Sequence, residues 1–340
     1  MAEEPAPDSF VWRDAGRTIV FRRNALEQAP RLLGEHGFEP FDLLVTARAL
    51  AAAADLAASA SAVHVVGPGQ VPDLAATLVG TTTSPFLVAL GGGRPIDVAK
   101  AVAAVTGATV AAIPTTMSGA EMTGIHRLPA GAESRASGLV RPSLVIADPE
   151  AMTGQPEPAL RASSMNALAH GADSLYTPFA NPVSEMTALR GAALIAGALD
   201  QDREQRDPAP LAFGSLLCGY AIDSGMFGLH HVICQTLVRV CGGSHAETNA
   251  AILPRALAFL AARAPERFAG FAAAIGTDLD GIEARVLRLG GEPAGLGAIG
   301  ADRAKLEPAL EAMLTRSELA FTPLGPPSRA ELAELIENAW

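Results

Sequence analysis

The sequence is poor in cysteine, in lysine and in long apolar runs, and each shortage excludes something. Its three cysteines, Cys218, Cys234 and Cys241, are odd in number and lack CxxC spacing. That argues against a thiolate zinc site and for a reducing, cytoplasmic setting. No stretch of about 20 residues is free of charges and turn formers, so no membrane span is expected. The start, MAEEPAPDSF, is acidic and proline-containing. A secretory leader needs a basic start and an apolar stretch, and this segment has neither. Lysine occurs only at Lys100 and Lys305, against 25 Lys and Arg in all. With so much alanine, this fits a GC-rich coding sequence. It makes Lys100 conspicuous, although a solvated helix lysine is the ordinary reading.

Acidic residues are in excess. The net charge is −11 and the pI near 5.1, so nucleic acid and anionic membrane are not expected partners. At 340 residues and 49% hydrophobic content, the chain is long enough for two domains with large cores.

Short β-rich runs lie within FVWRDAGRTIVFRR, PFDLLVTARAL, SAVHVVG, SPFLVALGGG, ATVAAIPTT and RPSLVIADPE. Helical stretches separate them, the pattern of a doubly wound α/β domain with a parallel, Rossmann-like sheet. The pattern changes after Pro149. From about residue 156 apolar residues recur at helical spacing, as in PALRASSMNALAHGADSLY and SEMTALRGAALIAGAL. The expected organisation is an α/β domain over 1–153 and an all-helical domain over 154–340. QDREQRDPAP reads as a polar connection between helices, and Ser328 with Glu331 reads as a capping box opening the last one.

Three motifs carry chemistry. In VALGGGRPIDVAK, Gly91, Gly92 and Gly93 follow a strand and open a helix. Glycines there let backbone N–H groups approach a phosphate, and the helix N-terminus favours negative charge. Asp97 sits in the first turn. The pattern is not GxGxxG, and a tight turn without a ligand would look the same. In AIPTTMSGAEMTG, Thr115, Thr116 and Ser118 make a polar loop at a strand's C-terminal end, the ligand-binding edge of open parallel sheets. In SMNALAHGADSLY, Asn166 and His170 share a helical face. His231 and His245 follow in GLHHVICQTLVRVCGGSHAE. A single such histidine is more often a satisfied core residue, and spacing alone does not bring three together.

Taken in order, GGGRPIDVAKA, IPTTMSGAEMT, SSMNALAHGADSLY, GLHH and HAETNAAILPRALAF resemble the iron-containing alcohol dehydrogenase superfamily, more closely its maleylacetate reductase branch. The resemblance spans nearly the whole chain. It implies that Gly91 to Gly93, Asp97, Lys100, Thr115, Thr116 and Ser118 hold NADH or NADPH. Metal-dependent members ligate an ion through one Asp and three His. The matching positions here are Asn166, His170, His231 and His245, and the reductase branch also carries Asn at the first. An amide brings a dipole where Asp brings a charge, which favours a vestigial, metal-free site. A neutral inner shell would leave a divalent charge uncompensated.

Departures from the branch are as informative. Gln235 stands four residues after His231, where the family usually has a second His that is often proposed to help proton transfer. Glutamine is neither acid nor base near neutral pH. Phe21 to Asn24 reads FRRN where the family has a glycine-containing turn. Met117 replaces a usual Tyr, and Arg94 and Pro95 follow the glycine triplet in place of Ser or Thr. Arg94 could reach a cofactor phosphate or crowd it. Within LLVTARA, Thr46 and Arg48 stand where NAD-selective folds place an acid, so use of both NADH and NADPH is expected.

The leading expectation is a cytoplasmic, metal-independent NAD(P)H-dependent reductase of a small oxo-acid or unsaturated acid, with its active site in the cleft between the domains and a homodimeric assembly. His231 and His245 are the expected proton donors and oxyanion stabilisers, with His170 and Asn166 orienting the substrate. The alternatives are a divalent-metal alcohol dehydrogenase, and a repurposed member with a non-redox or binding role.

Overall fold

The computed structural model describes residues 9–14 and 16–340. Residues 1–8, part of the acidic start read above as no leader, lie outside the described residues, as does Ala15. The chain forms two compact units that divide between Gly154 and Gln155. Among the described residues, no helix is long and apolar enough to cross a membrane.

The first unit is built on one seven-stranded sheet. Its strands are β1 (Ser9–Asp14), β2 (Arg17–Arg22), β3 (Phe41–Val45), β4 (Ala62–Val65), β5 (Phe86–Gly91), β6 (Thr109–Pro114) and β7 (Leu144–Ala147). Their order is β1-β2-β7-β6-β5-β3-β4. Only the β1–β2 pair is antiparallel; the others run parallel. The central strands are apolar on both faces because both faces are covered. Leu43, Val45, Val88, Leu90, Ile113 and Ile146 pack on one side with Leu32, Leu33 and Leu56. Leu44, Leu87, Ala89, Val110 and Ala112 pack on the other with Val98, Ala101 and Val102. The last three belong to α1 (Gly93–Thr106), which ends on left-handed Gly107.

Strand direction reverses its progress across the sheet between β3 and β5, and the crevice beyond such a switch point is where open α/β sheets bind ligands. The register aligns the two polar loops at that edge. Gly91 pairs with Pro114, and Thr115 N–H donates to the Gly91 carbonyl at 2.8 Å.

In the second unit no strand occurs among the described residues. Its long helices are α2 (Glu157–Asp173), α3 (Pro182–Leu199), α4 (Pro208–Gly225), α5 (Leu229–Val240) and α6 (His245–Arg263), with shorter helices following to Arg329–Glu337. Proline in the first turn and Asn or Asp caps start α3 and α4. The last helix has the Ser328–Glu331 capping box that its spacing predicts. In α2 every residue from Ala162 to Asp173 is buried. The polar residues of this central helix therefore face protein on all sides.

Helices α3 and α4 touch backbone to backbone. A Cβ on Gly191 would stand 2.6 Å from Cys218 Sγ and 2.8 Å from the Gly214 carbonyl oxygen. Gly191→Ala should therefore destabilise the protein by about 2–3 kcal/mol through overpacking, read as a lower urea midpoint at unchanged slope.

Candidate active site

The first unit carries the loop pair. At Gly91, φ is +146°, and a Cβ would meet Pro95 Cγ at 2.7 Å. Only glycine fits there, because Pro95 folds back over the turn. Cβ atoms on Gly92 and Gly93 would lie 3.1 Å from the Thr116 side chain and 3.1 Å from Ser118 Cβ, respectively. The glycines thus admit the second loop against the first. No side chain caps the start of α1, which leaves its first N–H groups for an anion. Exposed Arg94 stands in that first turn. These residues fit a dinucleotide pyrophosphate. Thr46 and Arg48 are differently engaged: Thr46 caps its short helix by accepting from Ala49 N–H, and Arg48 donates to the Gly154 carbonyl.

Lys100 overturns the ordinary reading of a solvated helix lysine. It is completely buried. Its ammonium donates to Asp97 Oδ1 at 2.9 Å, to the Ala120 carbonyl at 3.0 Å and to the Ile125 carbonyl at 2.8 Å. Three acceptors take its three protons. Lys100 thereby ties Asp97 to the loop that carries Ala120 and Ile125. Beneath the same loop lies Glu121, which the sequence reading passed over. It is fully buried, with Ser118 Oγ 3.5 Å from Oε2 and no hydrogen-bond partner for Oε1 among the described residues. Burial raises its pKa to about 7, against the pull of Lys100.

The second unit brings the histidines together. The rings of His170 (α2) and His231 (α5) stack with centroids 4.9 Å apart and planes 15° apart. Asn166 Nδ2 is 3.5 Å from His170 Nε2, one helical turn away as the i, i+4 spacing predicts. Burial first, then the neighbouring His231 and His245, push the His170 pKa well below its ordinary value, so His170 is neutral. His245 opens α6 and is exposed. It lies close enough to act electrostatically on both His170 and His230.

Asp173 is the residue that spacing offered and the sequence reading missed. At i, i+4 and i+7, Asn166, His170 and Asp173 share one face of α2. Asp173 is completely buried and accepts from four donors. These are His231 Nδ1 at 2.8 Å, Gly228 N–H at 2.9 Å, His231 N–H at 3.3 Å and the Tyr176 hydroxyl at 2.7 Å. Tyr176 in turn accepts from Leu229 N–H at 2.7 Å. Burial pushes the Asp173 pKa up, but the bond to His231, its charge and the Gly228 N–H more than offset this and hold it at about 2. An ionised Asp173 fixes the His231 ring and its tautomer, with Nδ1 protonated. His231 Nε2 is then the exchangeable atom, buried and without a hydrogen-bond partner among the described residues.

Its neighbour in the GLHH motif is different. His230 Nε2 lies 2.7 Å from Asn249 Oδ1, and burial above all lowers its pKa to about 3. This is a satisfied core histidine.

The candidate donors for a divalent ion are the imidazoles of His170, His231 and His245 and the Asn166 amide, a set that carries no charge of its own. The Asp173 carboxylate behind His231 supplies, one bond further out, the negative charge that Asn166 does not. Three imidazoles suit zinc or iron, but the Asn166 amide adds a dipole and no charge to the inner set. The same carboxylate–imidazole pair is a suitable acid–base device without an ion.

A parallel sheet with a phosphate-ready edge, and a helical unit holding a carboxylate-tethered histidine, define the kit of a nicotinamide-dependent oxidoreductase. The sequence matches the family description "Iron-containing alcohol dehydrogenase" over residues 16–149, and "Fe-containing alcohol dehydrogenase family, C-terminal" over residues 161–337. It is 31% identical over 282 residues to maleylacetate reductase 1 of Rhodococcus opacus, covering 80% of this chain and 78% of that one. It is 32% identical over 284 residues to maleylacetate reductase of Pseudomonas sp. (strain P51), covering 80% and 79%. The crystal structure of maleylacetate reductase from Agrobacterium tumefaciens superposes with a TM-score of 0.82 at 27% identity, over 99% of both chains. The chain belongs to the iron-containing alcohol dehydrogenase family, in its maleylacetate reductase-like branch, and is an oxidoreductase.

Proposed function

We propose that the chain is a metal-independent NAD(P)H-dependent reductase of a small oxo-acid or unsaturated acid of the maleylacetate type. The observation that carries this reading is the buried Asp173–His231 pair, with His231 Nε2 unsatisfied and the neutral His170 ring stacked beside it. NAD(P)H, when bound, supplies the hydride. Gly91 to Gly93 and the start of α1 receive its pyrophosphate, with Thr115, Thr116 and Ser118 beside them. Lys100 and Asp97 keep that loop in place. With no acid following β3, both NADH and NADPH serve.

His231, doubly protonated with its Nδ1–H on the ionised Asp173, gives its Nε2 proton to the substrate and returns to the Nδ1-protonated tautomer, and Asp173 keeps the ring turned for the transfer. His170 and Asn166 orient the substrate, and His245 offers a second donor to the developing oxyanion. Gln235 cannot relay a proton, which concentrates that duty on His231.

The test is oxidation of NADH and NADPH by maleylacetate, followed by the loss of reduced-nicotinamide absorbance, with and without a chelator. Turnover should persist in the chelator, and purified protein should hold well under one ion per chain. Abolition by chelator with recovery on adding zinc or iron would overturn metal independence. No oxidation of either nucleotide with any oxo-acid would overturn the reductase.

A further inference from the structure

We propose that Arg316 binds a carboxylate of the substrate through the outer edge of its guanidinium, and that Glu318 and Gln235 position it. This inference rests on the oxo-acid reading above and names the residue that would select for acid.

Arg316 sits in the turn ahead of the short helical segment Ser317–Phe321, which packs on α5. Two contacts tie its guanidinium to the histidine site. It lies over the Phe227 ring at 5.9 Å, and that ring is 6.2 Å from the ring of His231. Its Nη2 also donates to Gln235 Oε1 at 3.3 Å, and Gln235 is one helical turn beyond His231 on the same face of α5. The cation is therefore a neighbour of the proposed proton donor.

The hydrogen bonds leave one edge for a ligand. Glu318 takes the inner edge, with Nε donating at 3.1 Å and Nη2 at 2.8 Å. Arg316 holds the Glu318 carboxyl below its usual pKa, chiefly through this bond, so the partner is ionised. Nη1 has no hydrogen bond among the described residues. The outer edge thus offers Nη1, and Nη2 through its long bond to Gln235. A guanidinium accepts a carboxylate on that edge in a two-pronged fit while another carboxylate occupies the side edge. Glu318 makes this workable at rest. It neutralises a cation whose side chain is only 20% exposed, and it stops the long side chain from wandering. When the substrate carboxylate arrives, the Gln235 amide can turn its NH2 toward it. In this arrangement the glutamine recognises substrate where relatives carry an imidazole.

The test is calorimetric titration with adipate, an unreactive six-carbon dicarboxylate, of native protein, Arg316→Met and Arg316→Lys, with and without NADPH. Adipate should bind the native chain, with affinity about 30-fold weaker in Arg316→Met, as expected for a lost charged hydrogen-bond pair. Arg316→Lys should fall between, since an ammonium keeps the charge and loses the planar fork. NADPH affinity should be the same in all three. With maleylacetate the Met variant should raise KM and leave kcat nearly unchanged, the pattern of lost uniform binding. Equal adipate affinity in native and Met proteins, or no adipate binding to the native chain, would overturn the proposal. If Arg316→Met fails to fold, the lysine variant decides it: native affinity there rules out the two-pronged contact. The parent reading fails separately. A native chain that binds adipate through Arg316, yet oxidises neither nucleotide with any oxo-acid, would lose the reductase and keep the carboxylate site.

Discussion

Asp173→Asn should lower kcat for oxo-acid reduction by about a hundred-fold or more while leaving NADPH affinity intact. The replacement is isosteric, so the effect isolates charge and hydrogen-bond direction. Four donors converge on Asp173, from His231 Nδ1, Gly228, the His231 backbone and Tyr176. A carboxylate accepts from all four, whereas an amide must point its own NH2 at one or more of them. Tyr176 cannot turn away to relieve this, because its oxygen already accepts from Leu229 N–H. An amide NH2 facing Nδ1 would also leave Nδ1 without its proton, so the doubly protonated ring that gives up the Nε2 proton would not form. Steady-state kinetics together with NADPH fluorescence titration separate this loss from a loss of cofactor. Equal kcat in the two proteins would remove His231 from the proton path.

The same variant should show a pH-dependent stability deficit. The folded-state pKa of Asp173 is held down at about 2, against about 3.9 in an unfolded chain. A depressed pKa adds stability that is fully present above the unfolded value and lost as pH falls through the folded one. The stability gap between the native protein and the Asp173→Asn variant should therefore be widest above about pH 5 and narrow toward pH 2. Urea midpoints at a series of pH values measure it.

Lys100→Met should cost about 3–5 kcal/mol of stability, the penalty for breaking a buried charge network by removing one partner. The methionine fills much of the volume, so the loss reports hydrogen bonds more than a cavity. The Ala120 and Ile125 carbonyls and Asp97 would be left without their donor. Glu121 would lose a cation that lowers its pKa. The loop carrying Thr115, Thr116 and Ser118 is held by these bonds, so NADPH should also bind more weakly. A variant with native stability and reduced NADPH affinity would instead mean that the ammonium touches the cofactor directly.

Much of the fold was legible because its signals are local. Apolar runs between helical stretches mark a parallel sheet, since strands buried on both faces need no polar alternation. The change of pattern after Pro149 is also local, and so is the Ser328–Glu331 box. Within the site, the i, i+4 pair of Asn166 and His170 is visible because one helix makes it. Asp173 continues that face at i+7 and was equally visible in spacing. It was passed over because an acid near a helix end has an ordinary explanation in solvent.

What the sequence alone determined is therefore the class: an α/β unit followed by a helical unit, glycines at a strand end, and histidines in the order that the family carries. Tertiary structure decided which of these groups lie in the dark and which meet. Lys100 has the spacing of a surface lysine, and only the loop folded across it makes it buried. His230 and His231 are adjacent in sequence, yet one turns to Asn249 and the other to Asp173, 58 residues away. Periodicity reports the face of one element. A hydrogen bond between two elements depends on their packing, and burial multiplies what that bond is worth.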